Sequence, residues 1–380
     1  MSGGPTLLLD KCAFQSLSRD EAGALPHCFL INVPPILTLE VLADLKKETS
    51  LMKAEDAKYE VKVLADKLLE VFDHSNNAHY RLLMEGEIVG HPVAMTGAAV
   101  VTGGQRVRMR GGGIGMVFDE HPDCARYRRW SAGKFTDEDE AEAHNWREQS
   151  RKLNMEKMKN ELWRKAKEIP KPSDLKEAQR LIVQHFSVAP QYMLLSTVLE
   201  LFKFSQRIRA AAIHRWRTTQ PKSFDSFAPY CCYVLRVVFL YIIGLTYGIV
   251  TTKPTNAIDL EYLFYLPFCS VFSSGDNFMI QMSKVLLRPD EFSIDRETLK
   301  KDMRGVDAYY KAENQEVRQA LTGQYRLGQP DGVFKHSMWG VANQPSWERD
   351  ERNFSPEMTE EAKPRLADIA KPSDSSGAPA

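Results

Sequence analysis

Apolar runs separated by polar breaks near the N-terminus predict a repeating β-α unit. Residues 6–10 form a short buried strand, and Ser18 followed by Glu21 is a capping-box pattern that opens a helix over about 19–25. A second strand is predicted over 28–33. Strands alternating with helices are typical of a sheet that carries helices on its faces.

A pair of prolines, Pro34 and Pro35, ends the second strand and presets the backbone for another helix. The apolar positions of this helix recur at helical spacing and form one buried stripe, which consists of Ile36, Leu37, Leu39, Val41, Leu42 and Leu45. Glu40 and Asp44 are four residues apart and therefore share a different face. The chain thus opens as β-α-β-α.

From about residue 50 the alternation of strands and helices stops. The pattern predicts a helix near 59–72, a glycine-rich, strand-like stretch over 80–118 and then long charged helices. Thr136 and Ser173 cap two of these helices, and a third spans 191–217. This part of the chain is predicted to be a mostly helical subdomain.

The α/β pattern resumes with an apolar helix over 230–250, a helix over 256–264 and a strand over 269–274. Beyond residue 312 the periodicity is lost, and the chain ends in a polar tail. The predicted division is an α/β core in two parts (1–48 and 229–310), an insertion (49–228) and a poorly ordered C-terminal extension (311–380).

The segment over 230–250 is the most apolar in the chain, and its length approaches that of a membrane span. Arg236 interrupts it and leaves a shorter uncharged stretch. Gly244 and Gly248 have a spacing that also suits close packing of a soluble core helix. We therefore predict a buried core helix and no membrane contact, with a membrane-associated protein as the alternative.

Composition narrows the class of protein without indicating a partner. The 380 residues contain 43% apolar residues, and 50 basic residues balance 50 acidic ones. The net charge therefore gives no sign of a nucleic-acid or membrane-surface protein. The N-terminus lacks a secretory pattern, so we predict a cytoplasmic location. The six cysteines form no C-x-x-C pair and are predicted to be reduced thiols.

Four acidic residues each stand at the end of an apolar run. They are Asp10 in LLLD, Glu40 in PPILTLE, Asp259 in TNAID and Asp276 in VFSSGD. A carboxylate that follows a buried strand lies at the carboxyl edge of a sheet, where open α/β proteins bind their ligands. Four carboxylates in one place repel one another, so this pattern predicts a hard divalent cation, Mg²⁺ or Mn²⁺.

In these motifs the chain resembles a PIN-domain nuclease, with the four acids in the order that this family has. The resemblance implies a PIN-like parallel sheet with flanking helices and metal-dependent hydrolysis of phosphodiester bonds. It also implies that Asp10 is the central metal ligand, that Asp259 and Asp276 complete the metal shell, and that Glu40 contacts the metal or orients water. Ser274 is expected to hydrogen-bond a ligand or a phosphate.

The chain departs from a compact PIN domain in one respect. More than half of it separates Glu40 from Asp259, so we predict that a large insertion interrupts the core. The ends of such an insertion must lie close together if the core is to remain intact.

Each candidate site residue also has an ordinary structural explanation. Asp10 and Asp276 suit turns, and Glu40 and Asp259 suit helix N-termini. Asp44, one turn beyond Glu40, is a supporting candidate, but it also suits a solvated helix face. Two residues that flank the proposed ligands are outer-shell candidates, namely Glu261 and Asn277.

Basic residues interleaved with aromatic ones provide candidate contacts to a nucleic-acid backbone. One such set is Arg207, Arg209, Arg215 and Arg217. A second lies over 126–130, and the arginines of 102–116 form a third, in a stretch that lacks the phosphate-loop pattern and is predicted to be a hairpin. Solvated faces are the ordinary explanation for all three.

The function expected from these features is that of a metal-dependent nuclease acting on RNA, most simply single-stranded RNA. The choice of RNA comes from the family resemblance alone. The alternative is a catalytically silent PIN-like scaffold or regulatory protein. In that case the inserted helices bind an inhibitory or oligomeric protein partner.

Overall fold

The structure of the protein is a computed structural model, and the residues that it describes are 5–47, 54–71, 78–100, 105–108, 114–117, 121–151, 160, 163, 169–251, 253, 255–289 and 291–312.

A four-stranded parallel sheet joins the two ends of the described chain. Its strands, in spatial order, are Leu30–Asn32 (β2), Thr6–Leu9 (β1), Val271–Ser274 (β5) and Phe292–Asp295 (β6). Leu8 lies opposite Phe272, so a strand near the start of the chain pairs directly with one more than 260 residues later. All three strand pairs are parallel. The predicted α/β class with a parallel sheet and flanking helices is confirmed.

Short helices connect and cover the strands of the first core part. They are Lys11–Ser16 (α1), Arg19–Ala24 (α2) and Pro35–Ala43 (α3), with 3-10 turns at Leu25–His27 and Asp44–Lys46. The capping box of Ser18 and Glu21 is present, as the sequence predicts. Pro35 occupies the first turn of α3, where a missing N–H does no harm.

The described chain between the two parts of the sheet, from residue 54 to residue 227, is mostly helical. Its described helices are Ala54–Val71 (α4), Tyr80–Val89 (α5), Pro122–Ser131 (α6), Asp137–Arg151 (α7), Leu175–Val188 (α8), Gln191–Leu201 (α9), Gln206–Thr219 (α10) and Phe224–Phe227 (α11). Two antiparallel strands, Gln105–Arg108 (β3) and Ile114–Val117 (β4), form a separate hairpin. Helix α6 packs on helix α3 through buried groups, since the hydroxyls of Tyr127 and Thr38 share a hydrogen bond of 2.5 Å.

The second core part is also built from helices around its two strands. They are Pro229–Thr246 (α12), Thr255–Leu263 (α13), Asn277–Leu286 (α14) and Arg296–Ala312 (α15), with a 3-10 turn at Leu266–Phe268. The predicted strand over 269–274 is confirmed apart from its first two residues.

Helix α12 is the apolar segment whose length suggested a membrane span. By length and composition it is the one described helix that meets that criterion, and 78% of the qualifying window is buried within the structure. At the N-terminus of α12, the backbone N–H groups of Tyr230 and Cys231 donate hydrogen bonds to the carboxylate of Glu87, at 3.0 Å and 2.8 Å respectively. A buried core helix whose end is capped in this way is consistent with a soluble protein.

Several elements differ from the sequence prediction. The start of the strand-like stretch over 80–118 is the helix α5, which His79 caps and Gly90 ends with a left-handed φ of 117°. The single helix predicted over 191–217 is broken into α9 and α10 at Lys203, whose φ is 49°. Helix α8 begins after Asp174 as its cap, one residue later than predicted.

Parts of the predictions lie outside the described residues. These include most of the C-terminal extension, 313–380, and much of the predicted helix beyond Arg151. The arginine-rich stretch over 102–116 is described only in its two strands. All six cysteines are free, as predicted.

Candidate active site

Asp10 stands at the junction of β1 and α1, at the carboxyl edge of the sheet. Its Oδ1 accepts a hydrogen bond from Ala13 N at 2.7 Å and so caps α1, while its Oδ2 accepts one from the Ser274 hydroxyl. Burial raises the pKa of Asp10 to about 6, against the lowering effect of these two hydrogen bonds. The charges of Glu40 and Asp276 raise it further.

Asp276 follows β5 and caps α14. Its Oδ1 accepts a hydrogen bond from Phe278 N at 2.7 Å, and its own backbone N–H donates to Ser274 Oγ at 2.9 Å. Ser274 therefore contacts both Asp10 and the backbone of Asp276, and this hydroxyl holds the ends of two neighbouring strands in register at the site.

Glu40 lies within helix α3 rather than at its N-terminus, so the helix dipole does not explain it. The buried hydroxyl of Tyr262 donates a hydrogen bond of 2.6 Å to Glu40 Oε2. Burial raises the pKa of Glu40, whereas the charge of Lys11 and the bond from Tyr262 lower it. Helices α3 and α13 therefore meet at this carboxylate.

Asp259 lies within helix α13, again away from the N-terminus. Burial raises its pKa to about 8, and the next largest causes are the charges of Glu40, Asp10 and Asp276. Each of the other three predicted acids is thus near enough to oppose ionisation of Asp259. The four predicted acids therefore influence one another electrostatically, and two of them, Asp10 and Asp276, stand at the carboxyl ends of β1 and β5.

A fifth carboxylate, that of Glu261, adjoins this group. Burial raises its pKa to about 7, with a further contribution from the charge of Glu40. The sequence suggested Glu261 as an outer-shell candidate. The other such candidate, Asn277, is exposed as the first residue of α14.

The donor set at this edge consists of carboxylate oxygens, which suit hard cations such as Mg²⁺ and Mn²⁺. In the described part of the chain, however, no group of three or more His, Cys, Asp or Glu side chains is arranged to hold a metal ion. The residues fit such an ion by their chemistry and by their mutual repulsion, and binding it would require their side chains to turn towards a common point.

Asp44 is fully buried and does not lie on the solvated helix face that is its ordinary explanation. Its carboxylate pairs with Lys11 Nζ at 2.5 Å and with Arg147 Nη2 at 3.0 Å. Lys11 Nζ also donates to the backbone carbonyl of Glu40 at 3.1 Å. Asp44 therefore supports the site indirectly, by linking α1 and α3 to helix α7 of the insertion.

Two of the four predicted nucleic-acid contacts are occupied within the fold. Arg209 donates to the carbonyls of Phe204 and Leu199, both at 2.9 Å. Arg215 donates to the carbonyls of Glu87 at 2.8 Å and Phe227 at 2.9 Å. These two guanidinium groups stabilise turns and helix ends.

The remaining two, Arg207 and Arg217, are exposed on helix α10. Their predicted contact with nucleic acid therefore stays a prediction.

Sequence reasoning missed three residues of the site, namely Lys11, Tyr262 and Arg147. Lys11 directly follows Asp10, and Tyr262 lies one helical turn after Asp259, so spacing offered a signal for both. Nothing in the sequence indicated Arg147, because it reaches the site from a separate helix.

Comparison with known proteins adds no relative to this description. No family model matches the chain, and neither a curated protein nor a solved structure matches it.

Proposed function

We propose that the protein is a divalent-metal-dependent nuclease that hydrolyses phosphodiester bonds in RNA, with a PIN-like core. The observation that carries the proposal is the hydrogen-bonded link from Asp10 through the Ser274 hydroxyl to the backbone N–H of Asp276, because it joins two of the predicted acids at the carboxyl ends of the neighbouring parallel strands β1 and β5. Repelling carboxylates at the carboxyl edge of a parallel sheet are typical of a metal-binding active site.

In this proposal Asp10, Asp259 and Asp276 hold Mg²⁺ or Mn²⁺, and Glu40 contacts the metal or orients water. A bound divalent cation supplies positive charge that stabilises the attacking and leaving oxygens of a phosphodiester. The carboxylates must lose their protons to bind it, which the raised pKa values of Asp10 and Asp259 make dependent on pH.

The surrounding residues keep the carboxylates in position. Ser274 and the backbone N–H of Ala13 restrain Asp10, because each of them donates a hydrogen bond to a different carboxylate oxygen. Tyr262 restrains Glu40 through its hydroxyl. Such supporting hydrogen bonds usually affect metal affinity and activity strongly when they are removed.

The choice of single-stranded RNA as substrate rests on the PIN-like motifs. The proposed cytoplasmic location is supported by the burial of most of helix α12 within the structure. A PIN-like core interrupted by a helical insertion accounts for the long separation of Glu40 from Asp259. The joining of β1 to β5 in one sheet supports this division of the chain.

The experiment is cleavage of labelled single-stranded RNA and DNA with and without Mn²⁺. We expect the wild type to cleave RNA only with the metal, and Asp10→Asn and Asp276→Asn to lower the rate by at least about a hundredfold. Glu138→Gln is the matched control, since it removes an exposed acid from helix α7. Equal residual rates in the wild type and the Asp variants would refute the proposal.

A catalytically silent scaffold is the second candidate. It is favoured by exposed apolar side chains on the consecutive helices α8 and α9, which are Val183, Val188, Tyr192 and Met193. In this case the insertion binds a protein partner or a second copy of the chain. Wild-type protein that neither cleaves RNA nor binds Mn²⁺ would favour the scaffold over the nuclease.

A further inference from the structure

Arg296 lies at the carboxyl edge of the sheet, as do Asp10 and Asp276, which together with Glu40 and Asp259 make up the acid cluster. It is the first residue of α15 and directly follows Asp295, the last residue of β6. Because β6 is parallel to β5, with Asp295 opposite Ser274, Arg296 emerges beside the segment that carries Asp276.

The side chain of Arg296 lies across Gly275, the residue between Ser274 and Asp276. A Cβ atom at Gly275 would stand 2.5 Å from Arg296 Cδ and 2.8 Å from Cys12 Sγ. Both distances are too short for a real contact. The arginine can therefore keep this position only because residue 275 has no side chain.

The guanidinium has few partners among the described residues. Its Nη1 donates to Cys12 Sγ at 3.2 Å, and its Nε contacts Glu297 Oε1 at 3.1 Å. The side chain keeps 40% of its exposure, and Glu297 is itself exposed. Arg296 thus presents a charge to solvent beside the acid cluster.

Cys12 shows that this charge is near the acids. Cys12 lies two residues after Asp10, and its Sγ accepts the hydrogen bond from Arg296 Nη1. The arginine also lies against Gly275, the residue before Asp276. Arg296 is therefore adjacent to the segments that carry two proposed metal ligands. A phosphate that approaches four carboxylates is repelled unless cations offset their charge.

We propose that Arg296 binds a phosphate group of the RNA backbone beside the acid cluster. This inference rests on the proposed nuclease function and adds a substrate contact to it. The planar guanidinium can donate two parallel hydrogen bonds to phosphate oxygens. Arg296 and the metal would then offset charge on different parts of the same strand.

The experiment measures binding of a fluorescein-labelled oligouridine in EDTA over a series of salt concentrations. We expect Arg296→Gln to bind about tenfold more weakly than the wild type. The slope of log affinity against log salt should decrease by about 0.7, the value for one contact on a single strand. Arg296→Lys should restore part of the affinity and the full slope.

Lys301→Gln is the matched control, because it removes one exposed charge from the same helix. We expect its affinity and salt slope to equal those of the wild type. Gly275→Ala is a second variant that displaces the arginine, and it should weaken binding as Arg296→Gln does.

Unchanged affinity and slope in Arg296→Gln would overturn the inference. The inference would also be overturned if Arg296→Gln and Arg296→Lys lost the same affinity for oligouridine and both had a lower melting temperature than the wild type. That pattern is expected if Arg296 has only a structural role. Calorimetric Mn²⁺ titration separates this result from the proposed function. Arg296→Gln should bind Mn²⁺ like the wild type, whereas Asp10→Asn should not. If the wild type binds no Mn²⁺, the proposed nuclease function is refuted, and the contact between Arg296 and RNA is still judged by the oligouridine titration.

Discussion

The hydroxyl of Ser274 donates a hydrogen bond to Oδ2 of Asp10, although 264 residues separate the two along the chain. Ser274 Oγ in turn accepts a hydrogen bond from the backbone N–H of Asp276 at 2.9 Å. One buried hydroxyl thus connects two proposed metal ligands, and it can do so because β1 and β5 are neighbours. The geometry of the site depends on that strand pairing.

Ser274→Ala should weaken Mn²⁺ binding by about tenfold. The change removes a hydrogen bond that lowers the pKa of Asp10, so its carboxylate becomes harder to ionise and less well oriented. Isothermal titration calorimetry checks the affinity. Ser273→Ala is the control, because the Ser273 hydroxyl is buried with no hydrogen-bond partner in the described structure. Equal losses in both variants would contradict the role given to Ser274.

Tyr262→Phe should destabilise the protein by about 2 kcal/mol, since a buried hydrogen bond to the Glu40 carboxyl group is lost. Urea unfolding measures this free energy. Tyr241→Phe serves as the control, because the buried Tyr241 hydroxyl has no hydrogen-bond partner among the described residues. A Tyr262→Phe variant as stable as Tyr241→Phe would show that the contact with Glu40 does not stabilise the fold.

Asp44→Asn should lower the free energy of unfolding by about 3 kcal/mol, because it leaves Lys11 and Arg147 without their buried counter-charge. The loss is at the lower end for a buried pair, since both cations are partly exposed. Glu140→Gln breaks the exposed pair with Lys46 and should change stability by less than about 1 kcal/mol. Similar losses in the two variants would argue against the buried link.

The metal-free protein should become less stable as the pH rises. Asp259 holds its proton up to about pH 8 when folded, against a reference pKa of 3.8, so the folded state binds more protons between these values. Melting temperatures in EDTA should therefore fall between about pH 5 and pH 8, and less steeply in Asp259→Asn. Parallel curves for the two proteins would contradict the raised pKa.

Binding of Mn²⁺ should show the opposite trend with pH. The ion competes with the proton on Asp259, whose pKa is about 8, and on Asp10, whose pKa is about 6. We expect at least about tenfold tighter binding at pH 8 than at pH 6. An affinity independent of pH would mean that neither carboxylate binds the metal.

Arg215→Gln should destabilise the protein by about 2–4 kcal/mol, because several hydrogen bonds from a charged group to backbone carbonyls are lost. Arg217→Gln, on the exposed side of the same helix, should change stability by less than about 0.5 kcal/mol. If the double variant Arg207→Gln, Arg217→Gln binds oligouridine as the wild type does, the predicted contact of this helix with RNA is wrong.

The sequence was a good guide where a local pattern controls local structure. The capping box of Ser18 and Glu21, the proline start of α3 and the strands β1, β2 and β5 follow from residues close together in the chain. It failed at α5, where glycine-rich surroundings suggested strand, because the helix is stabilised by packing against α10 and α12. Propensity is weaker than tertiary contact there.

The sequence also predicted the acidic residues of the candidate site, but it did not predict the residues that hold them in position. Asp10, Glu40, Asp259 and Asp276 were identified because each ends an apolar run. Tyr262, the partner of Glu40, and Arg147, the partner of Asp44, come from helices that only the folded chain brings to the site. A side chain that contacts a distant residue leaves no periodic signal in its own segment.

The sequence by itself determined the α/β class and which carboxylates were candidates, since hydrophobic periodicity and strand ends are local properties. Only the tertiary structure decided that Asp44 is a buried ion-pair partner and that Arg215 supports the fold. It also decided that Arg296 lies beside Gly275. Burial and charge partners depend on which surfaces meet, and these surfaces come from segments far apart in the chain.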